Sequence, residues 1–468
     1  MPLAAEHAAA LVELVGRGAA RNAAELAALD PGIDPHNFGA GLMLRPAGTA
    51  EVARALAYCN AAGIGVVPQG GRTGLAGGAV SRAGEVILSL DRLNRIESLD
   101  AVSRTAVAGA GVTLAALARR AAGHGLAPGI DFGARDSATI GGMIATNAGG
   151  LAAFRYGAMR ERVLGLEVVL ADGTVLDELA AVRKRNEGLA VQQLFIGAEG
   201  TLGVITRACL ALVSQDGPAA TALVAVRDLG AAVELCDALL KVPGLVPTAI
   251  EIMSASHVAA SSRALGSREF DSLIVSPYVL LVEATAASAA AAEAALVAAL
   301  SEAGDVRLVS DAVLAQSEAQ RQAMWHVRED WAVDRERPGG LWYDVSVPLA
   351  RLPGYLNSFV ARIAAHDPSL AVHVCGHLGD GNVHLTVNAA RPISEHYEEI
   401  AVLVTEGLAA LGGSFSAEHG IGLEKKATFA RVASAAKLAL TRRVKATLDP
   451  HGIMNPGKVL PDCEPCAP

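Results

Sequence analysis

Five glycines fall within the eleven residues Pro68-Gln-Gly-Gly-Arg-Thr-Gly-Leu-Ala-Gly-Gly78, directly after the short apolar run Ile64-Gly-Val-Val67. Neither a helix nor a regular strand tolerates that density, so this segment is a loop that needs positive φ or close backbone approach. Two more segments share its character. One is Gly133-Ala-Arg-Asp-Ser-Ala-Thr-Ile-Gly-Gly142 with Ala145-Thr-Asn-Ala-Gly-Gly150, and the other is Phe195-Ile-Gly-Ala-Glu-Gly-Thr-Leu-Gly-Val-Ile-Thr206. Successive backbone N–H groups in such loops form a concave anion site, and the missing side chains let a pyrophosphate come close. Gly70, Gly71, Thr73, Gly74, Gly77 and Gly78 fit that role, and Ser137, Ile140, Gly141 and Gly142 offer the same from a second side. A Rossmann site fits less well, because no G-x-G-x-x-G stands between an early strand and helix with an acid ~20 residues later.

The 468 residues exceed one ordinary core. The glycine-rich part ends near residue 215, and alternating strands and helices follow, with strands near 220–226, 278–284, 341–347 and 370–388 and helices near 229–241, 287–303 and 312–335. Three parts are expected: 1–215 with an N-terminal helical arm in 1–40, an α+β part over 216–430, and a helical strap over 431–468. Thr49 is read as the cap of a helix bearing Val52, Leu56 and Cys59. A net charge of −9 argues against a nucleic-acid surface. The six cysteines are scattered, as in a reducing compartment, and Cys463 and Cys466 form the one close pair, read as idle. Glu6, His7 and Glu13 interrupt any leader-like stretch, and no span reaches ~20 apolar residues. A cytoplasmic protein is expected, with peripheral contact at the inner face of the membrane left open.

Six motifs in fixed order resemble one family: Pro68–Gly78, Ile140–Gly150, Gly197–Gly203, Gly376-His-Leu-Gly-Asp-Gly-Asn-Val-His384, Ser416-Ala-Glu-His-Gly-Ile-Gly422 and Asn455-Pro-Gly-Lys458. They resemble the FAD-linked D-2-hydroxyacid dehydrogenases (D-2-hydroxyglutarate and D-lactate dehydrogenases, and the glycolate oxidase catalytic subunit) of the vanillyl-alcohol oxidase / p-cresol methylhydroxylase flavoprotein fold, over residues 40–461. The resemblance implies an α+β architecture: a two-subdomain FAD-binding domain of vanillyl-alcohol oxidase type, an α+β substrate domain and a C-terminal helical strap. It implies FAD held through Pro68, Arg72, Pro128, Gly133, Tyr156 and Gly157 besides the glycines above. Ala145, Asn147, Ala148 and Gly149 would approach the flavin ring, Glu199, Gly200, Leu202, Gly203 and Ile205 the adenine and ribose, and Asn455 would return to the flavin. The first loop has neither His nor Cys, so the FAD is expected to be non-covalent.

Asp380-Gly381 reads as a two-residue hairpin turn, which would set His377 opposite His384 on one face. Two imidazoles there can grip one divalent ion, with Glu418 completing a His₂Glu set. Zinc is the default, and manganese or cobalt also suits these ligands. The resemblance makes His419 the general base and Arg328 the holder of the substrate carboxylate, with hydride passing to flavin N5. Asn382 is a further candidate for the substrate and Tyr343 for the pocket wall. Trp342 stands where hydroxyglutarate dehydrogenases carry a lysine, which favours an apolar monocarboxylate over a dicarboxylate. Expected partners are a small 2-hydroxy acid and an electron acceptor such as a quinone, a cytochrome or an electron-transfer flavoprotein. No nucleic acid is expected, and a homodimer is the general default. Competing readings are an oxidase passing electrons to oxygen, a non-redox metal-dependent hydrolase or lyase built on His377, His384 and Glu418, and a flavin-holding scaffold.

Overall fold

The parallel strands form where the sequence runs continuously apolar, as expected of strands buried on both faces. In a computed structural model, which describes residues 2–461, these are β2 (Leu42–Leu44), β3 (Val66–Gln69) and β4 (Val86–Ser89). They align parallel in the order β2-β4-β3, and β1 (Ala20–Asn22) adds antiparallel to β2. The first thirty residues are therefore not a plain helical arm: the helix Ala5–Val15 leads into an edge strand of this sheet. Cys463 and Cys466 lie outside the described residues.

The backbone divides into two units. The first comprises Met1–Gly150, Tyr156–Gln215 and Glu418–Pro468, and the second Leu151–Arg155 and Asp216–Ala417. Besides its parallel sheet, the first unit has an antiparallel one of β5 (Ile96–Asp100), β6 (Thr105–Gly109), β8 (Val163–Val169), β9 (Val175–Glu178) and β10 (Val204–Ala211), in the order β5-β6-β10-β8-β9. A small ladder joins β7 (Leu126–Ala127) to β11 (Val213–Ser214). The helix Thr49–Ala62 buries Val52, Ala55, Leu56 and Cys59, and burial pushes the Cys59 thiol up to about 12. Its cap is Gly48 rather than Thr49, because the Thr49 hydroxyl instead donates to Glu167 at 2.6 Å. After the helix Ala435–Leu448, Met454 bridges to Val66 and the Asn455 N–H donates to the Val66 carbonyl, so residues 453–455 extend the β3 edge.

The second unit is one antiparallel sheet ordered β15-β12-β14-β13-β17-β18-β16. Its strands are β12 (Ala219–Val226), β13 (Val246–Ser254), β14 (Tyr278–Thr285), β15 (Val309–Leu314), β16 (Leu341–Ser346), β17 (Ala371–His377) and β18 (Asn382–Asn388). One face packs along its length against the helices Leu229–Leu240, Ala289–Asp305, Leu352–His366 and Tyr397–Thr405. The other is covered over β12, β13 and β14 by Val258, Phe270, Met324 and Val327, from the segments around the helices Ala255–Leu265 and Glu318–Glu329. The helix expected over 312–335 begins only at Glu318, capped by Ser317, and residues 309–314 pair with β12 instead. Over β17, β18 and β16 this second face carries polar side chains.

Candidate active site

The first unit gathers the three glycine-rich segments. Among the described residues, no backbone N–H from Gly70 to Gly78 donates to a protein acceptor. Packing dictates the bare backbone: a Cβ on Gly71 would lie 1.9 Å from the Ser137 carbonyl oxygen. Thr139 Oγ1, facing Gly70, and Asn455 Oδ1 are buried without a protein partner. The Asn455 amide donates to the Gly78 carbonyl at 3.0 Å and to the Glu199 carbonyl at 2.7 Å, tying the first and third loops together. Open amides and orphaned polar atoms are what a pyrophosphate-bearing cofactor would satisfy.

The second segment is built differently. Ile140–Thr146 is a helix ending at Asn147, whose φ is +53°. The N–H groups of Ser137, Ile140 and Gly141 already donate to the carbonyls of Ala134, Val112 and Ala110. These residues therefore offer close approach rather than an amide nest. Asn147 Oδ1 accepts from the Arg160 N–H, and the Ala145 carbonyl accepts from Glu199 N–H. In the third segment Leu202 and Ile205 point into the core, where Gly203 packs on Val168. The Glu199 carboxylate is buried and accepts from Ile421 N–H at 2.7 Å and Gly422 N–H at 2.9 Å. Burial pushes its pKa up against those two bonds. Gly422, at φ +50° and 1.8 Å from the Ala76 carbonyl oxygen by its absent Cβ, seats the stretch beginning at Glu418 on the first loop. Glu418 itself accepts from the Gly150 N–H, so His419 is anchored on both sides.

In the second unit the polar face of β13, β17, β18 and β16 reads in rows. Glu251, His377, Asn382 and Ser346 stand opposite one another, and the next row is Met253, Cys375, His384 and Asp344. The hairpin is thus not the two-residue turn expected. Leu378–Asp380 forms a 3₁₀ turn closed by Gly381 at φ +76°, which shifts the pairing by two residues. His377 faces Asn382, and His384 faces Cys375. The histidines still share a face, with ring centroids 5.3 Å apart and planes at 87°. His377 Nδ1 lies 2.8 Å from the Glu251 carboxylate, which is 2% exposed and also receives Arg328 Nε at 2.8 Å and Nη2 at 2.7 Å. Burial opposes the Glu251 charge, but His377 and Arg328 outweigh it and hold the carboxyl below its usual range. Asp344, fully buried, sits 3.6 Å from His384 Nδ1. Asn382 Oδ1 is buried and lacks a protein donor.

A model of the FAD binding domain matches residues 40–178, and one of the C-terminal domain of FAD linked oxidases matches residues 217–459. A D-2-hydroxyglutarate dehydrogenase of Xanthomonas citri is 37% identical over 422 residues, covering 88% of each chain. The mitochondrial D-2-hydroxyglutarate dehydrogenase of Bos taurus is 38% identical over 90% of this chain and 77% of its own. This chain belongs to the FAD-linked D-2-hydroxyacid dehydrogenase family. A putative mitochondrial D-lactate dehydrogenase of Schizosaccharomyces pombe is 35% identical, over 89% of this chain and 81% of its own. Among solved structures, 4-ethylphenol oxidase from Gulosibacter chungangensis and p-cresol methylhydroxylase each superpose at a TM-score of 0.70 over 98% of both chains, at 19% and 17% identity. The flavoenzyme therefore has the α+β fold of the vanillyl-alcohol oxidase type.

Within this flavoenzyme, two of the expected side-chain roles meet a different geometry. Tyr343 faces the helix-covered side of the sheet, opposite to His384. Its hydroxyl donates to the Tyr397 carbonyl at 2.7 Å and its ring stacks on Tyr397, so it is no pocket wall. Arg328 does not present an open fork, because Nε and Nη2 are both spent on Glu251. Trp342 does lie on the polar face, one row beyond Asp344 and His384, and packs edge-on against Trp331 at 5.2 Å. Glu251 and Asp344 were missed. Their signal was a lone acid inside an apolar strand, Ala-Ile-Glu251-Ile-Met and Tyr-Asp344-Val. No helix among the described residues is long and apolar enough to cross a membrane.

Proposed function

We propose that the flavoenzyme oxidises a D-2-hydroxy acid to the 2-oxo acid with a divalent cation on His377, His384 and Glu418. The observation that carries the reading is the pair His377 and His384 on one polar sheet face, each with a buried carboxylate behind Nδ1. Glu418 as third ligand rests on its sequence motif. When bound, FAD accepts the hydride and the cation stabilises charge on the substrate hydroxyl oxygen. His419, held between Glu418 and Gly420, takes the hydroxyl proton at a ring nitrogen. Asn382 Oδ1, an acceptor without a protein donor, suits a hydroxyl of the bound acid. A separate electron acceptor of quinone, cytochrome or electron-transfer flavoprotein type would complete the reaction as partner.

The relatives' names set two arms, a dicarboxylate and a short monocarboxylate. The exposed Trp331–Trp342 pair favours the second, extended to acids with an apolar or aryl substituent. The Trp342 indole N–H donates to Asp334, so an acid rather than a cation adjoins this edge. The test is anaerobic flavin bleaching by D-lactate, D-malate, D-2-hydroxyglutarate and D-mandelate, each with and without EDTA. Bleaching by a monocarboxylate that is lost after chelation and restored by zinc, manganese or cobalt is the expected result. A yellow protein that no D-acid bleaches would discard the reaction.

A further inference from the structure

The metal half of the proposed function needs two imidazoles aimed at one point. An imidazole has two nitrogens, and the hydrogen bond made by one decides which is left to ligate. In the second unit a buried carboxylate stands beside Nδ1 of each histidine, at hydrogen-bond distance for His377 and at ion-pair distance for His384. His377 turns Nδ1 to Glu251, from 2.8 Å, and His384 turns Nδ1 to Asp344, from 3.6 Å. The two carboxylates come from different strands, β13 and β16, flanking the β17–β18 hairpin that carries the histidines. They are 2% and 0% exposed. A buried carboxylate is costly unless paired, and an apolar residue at either place would continue the strand pattern around it. Arg328 reaches Glu251 through two nitrogens and so fixes the carboxylate that fixes His377.

We infer that Glu251 and Asp344 are positioning residues that set the tautomer and ring direction of His377 and His384, so that both present Nε2 to one divalent cation. The assignment rests on the metal reading above and goes beyond it by naming what prepares the ligands. Neither carboxylate touches the cation; each acts through its histidine. The sheet also supplies a matched control. Glu283, on the same face and 8% exposed, accepts from Thr221, Arg321 and Trp325 but touches no histidine.

The test uses the whole flavoprotein with FAD in place, freed of metal by dialysis. Zn²⁺ affinity is measured by competition with a chromophoric chelator, and Co²⁺ is added while its ligand-field bands are recorded above the flavin absorption. Glu251→Gln and Asp344→Asn are each expected to weaken Zn²⁺ binding by about 10–100-fold and to move the Co²⁺ bands. Glu283→Gln should stay within about threefold of the wild type, even if it melts earlier. Should Glu251→Gln fail to fold, Glu251→Gln/Arg328→Gln removes the stranded guanidinium and is expected to show the same weakened binding. Wild-type affinity in both carboxylate variants overturns the assignment, as does an equal loss in Glu283→Gln. A wild type that binds no cation removes the metal reading and this assignment together, while bleaching by D-acids in the same preparation still reports the redox half separately.

Discussion

Replacing Glu251 by Gln keeps the shape of the side chain and removes its charge. Arg328, 7% exposed, then faces an amide at the end of two bonds of 2.7 and 2.8 Å, and its positive charge has lost its buried counter-ion. Removing one partner of a buried pair costs about 3–5 kcal/mol, mostly for stranding the other charge. In a unit of this size each kcal/mol lowers the melting point by about 2–4 °C, so a fall of roughly 6–20 °C is expected. Arg328→Gln should cost a similar amount, because it strands Glu251. The double variant places two amides face to face with no net charge, and it should recover a large part of the loss. Calorimetry of the three variants and the wild type, with FAD bound and at one metal concentration, closes the cycle. Single effects that simply add, within about 0.5 kcal/mol, would mean that the two groups do not depend on each other. The buried ion pair would then be no organising element of this sheet face.

Three further outcomes follow from other parts of the molecule. Gly71→Ala must displace the backbone at Ser137, which a Cβ would meet at 1.9 Å, and should weaken FAD binding at least about tenfold. Gly304→Ala, outside the three glycine-rich loops and with nothing within 4 Å of its Cβ, should keep its flavin; the absorbance ratio of flavin to protein distinguishes the two. Tyr343→Phe should cost about 1 kcal/mol of stability for the lost bond to Tyr397 and leave kcat/KM unchanged; a large loss of activity would restore Tyr343 to the pocket. The His257 Nε2–H donates to the Val327 carbonyl at 3.1 Å, and burial, helped by the Arg328 charge, pushes its pKa down to about 4. The unfolded chain takes up this proton near pH ~6.5, so stability is lost as the pH falls from there toward 4, by about 2 kcal/mol at pH 5. Urea midpoints of His257→Gln that fall with acid as steeply as those of the wild type would refute this.

Much of the fold could be read from residues because local and long-range demands agree. Gly173 at φ +88° lets Asp172-Gly173 turn β8 into β9, and the strands expected near 220–226 and 278–284 fall at β12 and β14 to within a residue. Errors arose where a second demand competed. Thr49 looks like a cap, but a buried Glu167 takes its hydroxyl. Residues 309–314 fit a helical period as well as an alternating one, and the free edge of β12 decides for a strand. Asp380-Gly381 carries the signal of a tight hairpin, yet the Gly381 N–H bonds back to Leu378 and widens the turn. The histidines tolerated that error, because a shift of two residues preserves the face on which a side chain lies.

That tolerance explains why His377 and His384 could be paired from sequence while the carboxylates beside them could not. A motif of glycines and histidines is local, and its spacing alone brings His377 and His384 together. Glu251 lies 126 positions before His377, and Arg328 reaches the same carboxylate from a helix elsewhere in the unit. Only the order of strands in the sheet makes them neighbours. The same reasoning revises Arg328. Read alone, an arginine in this motif is a clamp for the substrate acid; placed in the sheet, most of its fork is already committed to holding Glu251. Its charge still lies behind the polar face and attracts an anion there, but its geometry is spent on the protein. The prediction that separates these roles is one of binding: if Arg328 mainly supports Glu251, Arg328→Gln should weaken Zn²⁺ binding, whereas a substrate clamp would leave that affinity unchanged and raise KM for the acid.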